Sequence, residues 1–232
     1  MQFISACLVA ILLFFTSFAP AYAQSDYSFP KISSGEVQGA LQETVPIRLL
    51  PGNPLYFLIS IKEAVNRFFK PSAVERSQFD FTLSGKRLKE TYMLMAKSDY
   101  KRVSNNLIRY VKQNESVIRQ LEKARSQNQA VEPAVGAMAD SLRFHEELLI
   151  AIYDIRHSSG DNNNFDGIFS QAIDAFKALV GEIDNIKPGV KNRFQISKTT
   201  DASNSADVNS KASPSPIPVE ATPAYKPRRI IY

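Results

Sequence analysis

Between Leu55 and Lys187 apolar side chains recur at three- and four-residue intervals, and no stretch alternates apolar with polar residues as a half-buried strand would. The spacing predicts five helices. The first begins at Asn53-Pro54, since Asn accepts bonds from orphan amides and Pro suits the first helical position. Its stripe of Leu55, Leu58, Ile61, Val65 and Phe68 or Phe69 is expected to be buried, and Lys70-Pro71 ends it. Ser72-x-x-Glu75 is a capping-box pattern that restarts a helix at a sharp corner. That second helix carries Val74, Phe81, Leu88 and Met95 every seven residues, with Tyr92 beside them. After a break at Lys97-Ser98, Asp99 is placed to cap a third helix with Tyr100, Val103, Leu107, Tyr110, Val111, Val117, Ile118 and Leu121 on its stripe. A polar break over Ser126–Ala130 precedes a fourth helix, starting near Glu132-Pro133, with Val135, Met138, Leu142, His145, Leu149 and Ile152 in line. The loop from His157 to Asn164 leads to a fifth, Phe165 to Ile186, with Ile168, Phe169, Ala172, Ile173, Phe176, Leu179, Val180 and Ile183 at core spacing, closed by Lys187-Pro188-Gly189.

Outside this region the pattern changes. Phe3 to Phe18 is a largely apolar run of about 16 residues, short of the roughly 20 that span a bilayer. Pro20 and the small-residue ending Ala21-Tyr22-Ala23 follow it, so residues 1–23 read as a signal peptide cut between Ala23 and Gln24. No Lys or Arg precedes the run, which is unusual for such a segment. Residues 24–45 are polar and read as an extended leader. Residues 188–232, rich in Ser, Ala, Asn and Pro, cannot build a core and read as a disordered basic tail ending Lys226-Pro227-Arg228-Arg229-Ile230-Ile231-Tyr232. The expected domain is therefore residues 46–187, an all-α antiparallel bundle of about five helices.

Composition narrows the chemistry. Cys7 is the only cysteine and lies in the segment to be removed, so no disulfide, thiolate zinc site or cysteine nucleophile is expected. The net charge of +5 is unevenly spread: residues 55–125 hold 15 Lys/Arg against 7 Asp/Glu, and residues 126–187 hold 4 against 10. Basic and acidic helices lying side by side would neutralise one another. The functional alternative is a basic face for anionic lipid headgroups or wall polymers.

Few constellations could carry a reaction. His145-Glu146-Glu147 begins like a zinc-binding helix but lacks a second His four residues on. The other histidine, His157, is 12 residues away, about 18 Å along a helix, so a metal at His145 would need carboxylates from other helices. A lone His on an apolar stripe is more simply a core residue. Asp161-Asn162-Asn163-Asn164-Phe165-Asp166 lacks the Gly and Glu of a calcium loop. No serine sits in a His/Asp context and there is no glycine-rich phosphate loop.

The segment Leu50-Pro51-Gly52-Asn53-Pro54-Leu55-Tyr56-Phe57-Leu58, with Phe68-Phe69, Lys86-Arg87-Leu88 and Ser98-Asp99-Tyr100 after it, resembles an uncharacterised bacterial family of exported helical proteins, a domain of unknown function. The likeness runs over roughly residues 49–125. Where the family more often puts Lys directly after the Leu, this chain has Ile59-Ser60-Ile61-Lys62. The resemblance implies an extracytoplasmic helical domain and supplies no reaction, ligand or catalytic residue.

These observations lead to an exported, non-enzymatic interaction module, periplasmic, at the cell surface or secreted, with no cofactor. Its partner is expected to be an envelope protein or an anionic surface polymer or lipid, and export argues against nucleic acid. The expected contacts are Lys86, Arg87 and Lys89 on the second helix, Lys101 and Arg102 on the third, and Arg228 and Arg229 in the tail. The alternative is a ligand- or metal-binding bundle centred on His145.

Overall fold

The structure, a computed structural model, describes residues 27–158 and 163–197. It is all-α, an antiparallel bundle containing α1 (Ser34–Glu43), α2 (Tyr56–Phe68), α3 (Ala73–Met95), α4 (Tyr100–Ser126), α5 (Glu132–Ser158) and α6 (Asn163–Ile186), followed by a short 3-10 turn, Lys191–Arg193. The segment read as a signal peptide and residues 198–232, with Arg228 and Arg229, lie outside the described residues. No helix among the described residues is long and apolar enough to cross a membrane.

The body is α3 to α6. The α3/α4 pair makes the most extensive contact, α4 packs on α6, and α3 packs on α5. Leu88 and Met95 of α3, Leu107, Tyr110, Val117 and Leu121 of α4, Leu142 and Leu149 of α5, and Ile173, Phe176 and Val180 of α6 share one core. Each lies on the stripe its helical spacing predicts. Two positive-φ residues turn the chain between helices, Ser98 after α3 and Asn128 after α4. Ser72 caps α3 by accepting from the Glu75 amide at 3.0 Å. Asp99 stands at the N-cap of α4 but makes no side-chain cap bond; its carboxylate pairs with Arg102 instead.

Three expectations need correction. The leader is not wholly extended. Ser33 Oγ accepts from the Glu36 amide, Glu36 Oε2 accepts from the Ser33 amide at 2.8 Å, and this reciprocal cap starts α1. Ala40 is fully buried where α1 meets α5, and ahead of it Phe29 packs edge-on to Tyr153 at 4.9 Å. Nor does packing stop at Lys187. Val190, Phe194 and Ile196 are buried, Phe194 packs edge-on to Phe176, and the Ile196 amide donates to Glu146 Oε1 at 2.8 Å.

The third correction concerns α2. Its apolar stripe does not enter the core. Leu55, Phe57, Leu58, Ile61, Val65, Phe68 and Phe69 all face solvent, and the helix meets the bundle through its polar side.

Candidate functional site

The polar side of α2 carries Tyr56, Ser60, Glu63 and Arg67, spaced one or two helical turns apart, which puts them on one line. On α3 the matching line is Asp80, Lys86, Arg87 and Glu90. Glu90 is fully buried; its carboxylate accepts from Tyr56 Oη at 2.9 Å on both oxygens and from Arg87 Nη1 at 2.9 Å. Glu63 accepts from both Lys86 and Arg87, Arg87 also donates to Tyr56 Oη, and Lys86 Nζ lies 3.7 Å from Glu90. Two cations, two carboxylates and a phenol thus close a buried network in which each charge has an opposite neighbour. Burial works against the charge on Arg87, but Glu90 and Glu63 outweigh it and raise its pKa. Burial first and the Glu90 charge next push the Tyr56 phenol up, so it stays a donor.

At the far end of α2, Arg67 grips fully buried Asp80 in a two-point contact of 2.7 and 2.9 Å, and Ser116 of α4 donates to Asp80 at 2.7 Å. The mount therefore pins α2 at both ends. Such forked pairing fixes orientation as well as distance. A helix held this way cannot roll its apolar face inward without taking from buried Asp80 its cationic partner and leaving Lys86 and Arg87 to share Glu90 alone, and buried charges are costly when unpaired.

What it leaves outside is large. At about 200 Å² per side chain, the three phenylalanines, 57, 80 and 73 % exposed, alone present on the order of 400 Å² of apolar surface. With four aliphatic neighbours the patch exceeds what monomers ordinarily leave to water, and patches of that kind mark interaction sites.

Cations border it. Arg102 and Arg109 of α4 line a hollow beside Tyr56, Phe57 and Ser60, and Lys112 and Arg119 line a second beside Ser60, Ala64 and Arg67. Arg102 pairs with Asp99 and Arg119 lies 3.6 Å from Glu115, while Arg109 and Lys112 make no ion pair among the described residues. Arg109 lies 5.8 Å from the Tyr56 ring centre. On the opposite edge of α2, Lys62 is exposed. The basic and acidic blocks do lie side by side, yet direct pairing between them is sparse. Arg125–Glu182 bridges them, whereas the pairs of Arg67, Lys86, Arg87, Arg102 and Arg119 stay inside the basic block.

The residues expected to contact an anionic partner separate accordingly. Lys86 and Arg87 are buried and bound to their own acids, so they hold α2 and present no charge to a partner. Lys89 is half-buried and caps α1, donating to the carbonyls of Leu41 and Thr44. Lys101 and Arg102 are exposed. Sequence reasoning missed Glu63, Glu90 and Asp80 as the mount, and Lys62, Arg109 and Lys112 as the rim. The signal was present in the two lines of opposite charges on consecutive helices.

His145 is buried, as its place on the α5 stripe predicts. Its ring stacks on Phe81 at 4.7 Å and meets Tyr110 at 6.1 Å, and Nδ1 has no hydrogen-bond partner. Burial pushes its pKa down to about 3, so it is neutral across the ordinary range. No group of three or more His, Cys, Asp or Glu among the described residues is arranged to hold a metal. The ring borders a cavity of about 270 Å³ between the end of α1, α3 and α5, lined by Phe81, Gly85, Met138, Ser141 and Phe144 among others. Gly85 is required for close approach: a Cβ there would sit 2.7 Å from His145 Nε2. Gly85→Ala is therefore expected to cost about 1–3 kcal/mol in urea unfolding, because the ring is held between Phe81 and Tyr110 and cannot step aside.

Fold and site together define a helical bundle with a pinned amphipathic helix whose apolar face is turned outward. Residues 48–141 match the family described as Domain of unknown function (DUF5667), a span that contains α2, α3, α4 and the whole ionic mount. No curated protein and no solved structure matches the chain.

Proposed function

We propose that this chain is an exported, non-enzymatic interaction module that binds another component of the cell envelope through α2. The observation that carries the reading is the outward apolar face of α2, held in place by the ionic mount. Export is supported by the apolar run, Pro20 and the Ala21-Tyr22-Ala23 ending. Recovery of the protein in the cytoplasm with Met1 retained would remove that part. The binding part is tested by sedimentation with the envelope fraction of the host. Native protein is expected in the pellet, and Phe57→Ser/Phe68→Ser/Phe69→Ser in the supernatant, with removal of residues 198–232 making little difference. Equal pelleting of native and triple-serine protein would sink it.

A second reading rests on the cavity beside His145. Its size suits a small neutral aromatic or aliphatic molecule, and a neutral imidazole on its wall suits a single hydrogen bond. Thermal stabilisation of the native protein by indole or phenol, abolished in Gly85→Ala, would carry it; no stabilisation by either removes it.

A further inference from the structure

We infer that the partner of α2 is an anionic lipid surface, into which the apolar face inserts while the cations on its two edges meet headgroup phosphates. This rests on the reading of α2 as the binding face and names what it binds.

The geometry is that of an interfacial helix. From Leu55 to Phe69 the apolar residues fall on one arc, centred near Ile61 and Val65 and opposite the Tyr56–Glu63–Arg67 side. At 1.5 Å per residue that face is about 22 Å long, enough to lie along a bilayer and too short to cross one. Helices that lie in the headgroup region combine Phe and Leu on one side with Lys and Arg at the border, and long basic side chains reach outward along such a border. Here the cations stand on separate elements, Lys62 on one edge and Arg109 and Lys112 of α4 on the other, so the bundle and not the helix alone composes the surface. The only carboxylate on α2, Glu63, is turned into the mount. An incoming anionic surface thus meets no free acid along the helix itself.

The alternative occupant is a second copy. Two copies could bury their apolar faces against each other, but two-fold symmetry would set cationic edge against cationic edge. In an antiparallel pairing the α4 rows face each other, and in a parallel one each row faces the partner's Lys62. Like charges brought together raise the cost of both arrangements. A surface of negative headgroups has the opposite sign along both edges at once, with roughly fivefold in affinity expected per basic residue near it.

The test uses the purified full-length processed protein and vesicles of phosphatidylcholine alone or of equimolar phosphatidylcholine and phosphatidylglycerol. Co-sedimentation is expected on the anionic vesicles, about tenfold or more weaker on the neutral ones, and reduced by added salt. Phe68→Ser/Phe69→Ser should weaken binding about a hundredfold, since each ring removed from water accounts for about a factor of ten. Arg109→Gln/Lys112→Gln should lower affinity for anionic vesicles about tenfold or more and leave binding to neutral ones unchanged. All four positions are exposed, and circular dichroism of the variants should match the native spectrum. Equal binding to both vesicle types overturns the anionic assignment. Absence of vesicle binding overturns the inference. If envelope sedimentation still depends on the phenylalanines, the module reading survives with a protein or wall partner. If instead the protein is a dimer broken by Phe68→Ser/Phe69→Ser, the second copy is the occupant. Identical behaviour of native and serine protein in every assay removes both readings.

Discussion

Replacing Glu90 by alanine is expected to lower the unfolding free energy by about 3–5 kcal/mol, the range found when one partner of a buried ionic network is removed. Glu90 is fully buried and receives bonds from Tyr56 and Arg87, with Lys86 close by. Its removal leaves Arg87 and Lys86 sharing Glu63 alone and leaves the Tyr56 hydroxyl without its acceptor. The Coulomb gain among these groups only offsets the cost of taking them out of water, so a deletion exposes the whole desolvation cost of what remains. The effect should be local as well as global: amides of α2 should exchange faster relative to those of α4. Urea unfolding measures the first and hydrogen exchange the second. A loss below about 1 kcal/mol would mean that water replaces the carboxylate and that the mount is not dry. Glu90→Gln, which keeps the shape but not the charge, should fall between native and alanine.

The second large effect is a dependence of stability on acid that belongs to His145. In the folded protein burial lowers its pKa to about 3, while the unfolded chain takes up the proton near the ordinary value of 6.5. Between these values the unfolded state binds more protons, so stability falls as pH drops below 6.5 and is insensitive to this group above it. The slope is about 1.4 kcal/mol per pH unit, and about 4 kcal/mol is lost by the time the folded ring itself protonates. Carboxylates also protonate in the lower part of this window, so the measurement is a difference. The gap in unfolding free energy between native protein and His145→Phe should be constant from neutral pH down to about 6.5 and then move steadily in favour of the variant. Phe keeps the stack with Phe81 and removes the unpartnered Nδ1. A gap that stays flat from pH 7 to pH 4 would show that the ring reaches solvent or finds a partner when protonated.

Most of the fold was legible along the chain. The stripes of α3, α4, α5 and α6 name the core nearly residue by residue, because each of those helices is buried on its apolar side and the period of 3.6 then reads directly as position. Ser72 and Ser126–Ala130 mark boundaries for local reasons of hydrogen bonding and turn geometry that need no neighbour, whereas Asn53, expected to cap α2, lies ahead of its start at Tyr56 and accepts from the Leu55 amide in the preceding turn. α1 was equally local, since Ser33 and Glu36 spell its cap, but its few apolar residues made the segment look like a leader. The docking of Val190, Phe194 and Ile196 was not legible, because three apolar residues in a polar stretch have no period.

By itself the sequence determined that this protein is helical, where its long helices begin and end to within a turn, and that α2 has one apolar face. Hydrogen-bond geometry within a helix and the spacing of side chains around it depend on near neighbours only. Which face of α2 turns inward was decided only by the tertiary structure. Apolar periodicity says that a face will leave water, not what will cover it. On α3 the facing positions are Asp80, Lys86, Arg87 and Glu90, and these groups, once buried, are tolerable only when paired. Tyr56, Glu63 and Arg67 pair them, so the ionic side of α2 is drawn in and the phenylalanines are left outside. The same choice converted Lys86 and Arg87 from expected contacts into mounting, and moved the candidate surface to Phe57, Phe68 and Phe69 with Arg109 and Lys112 beside them.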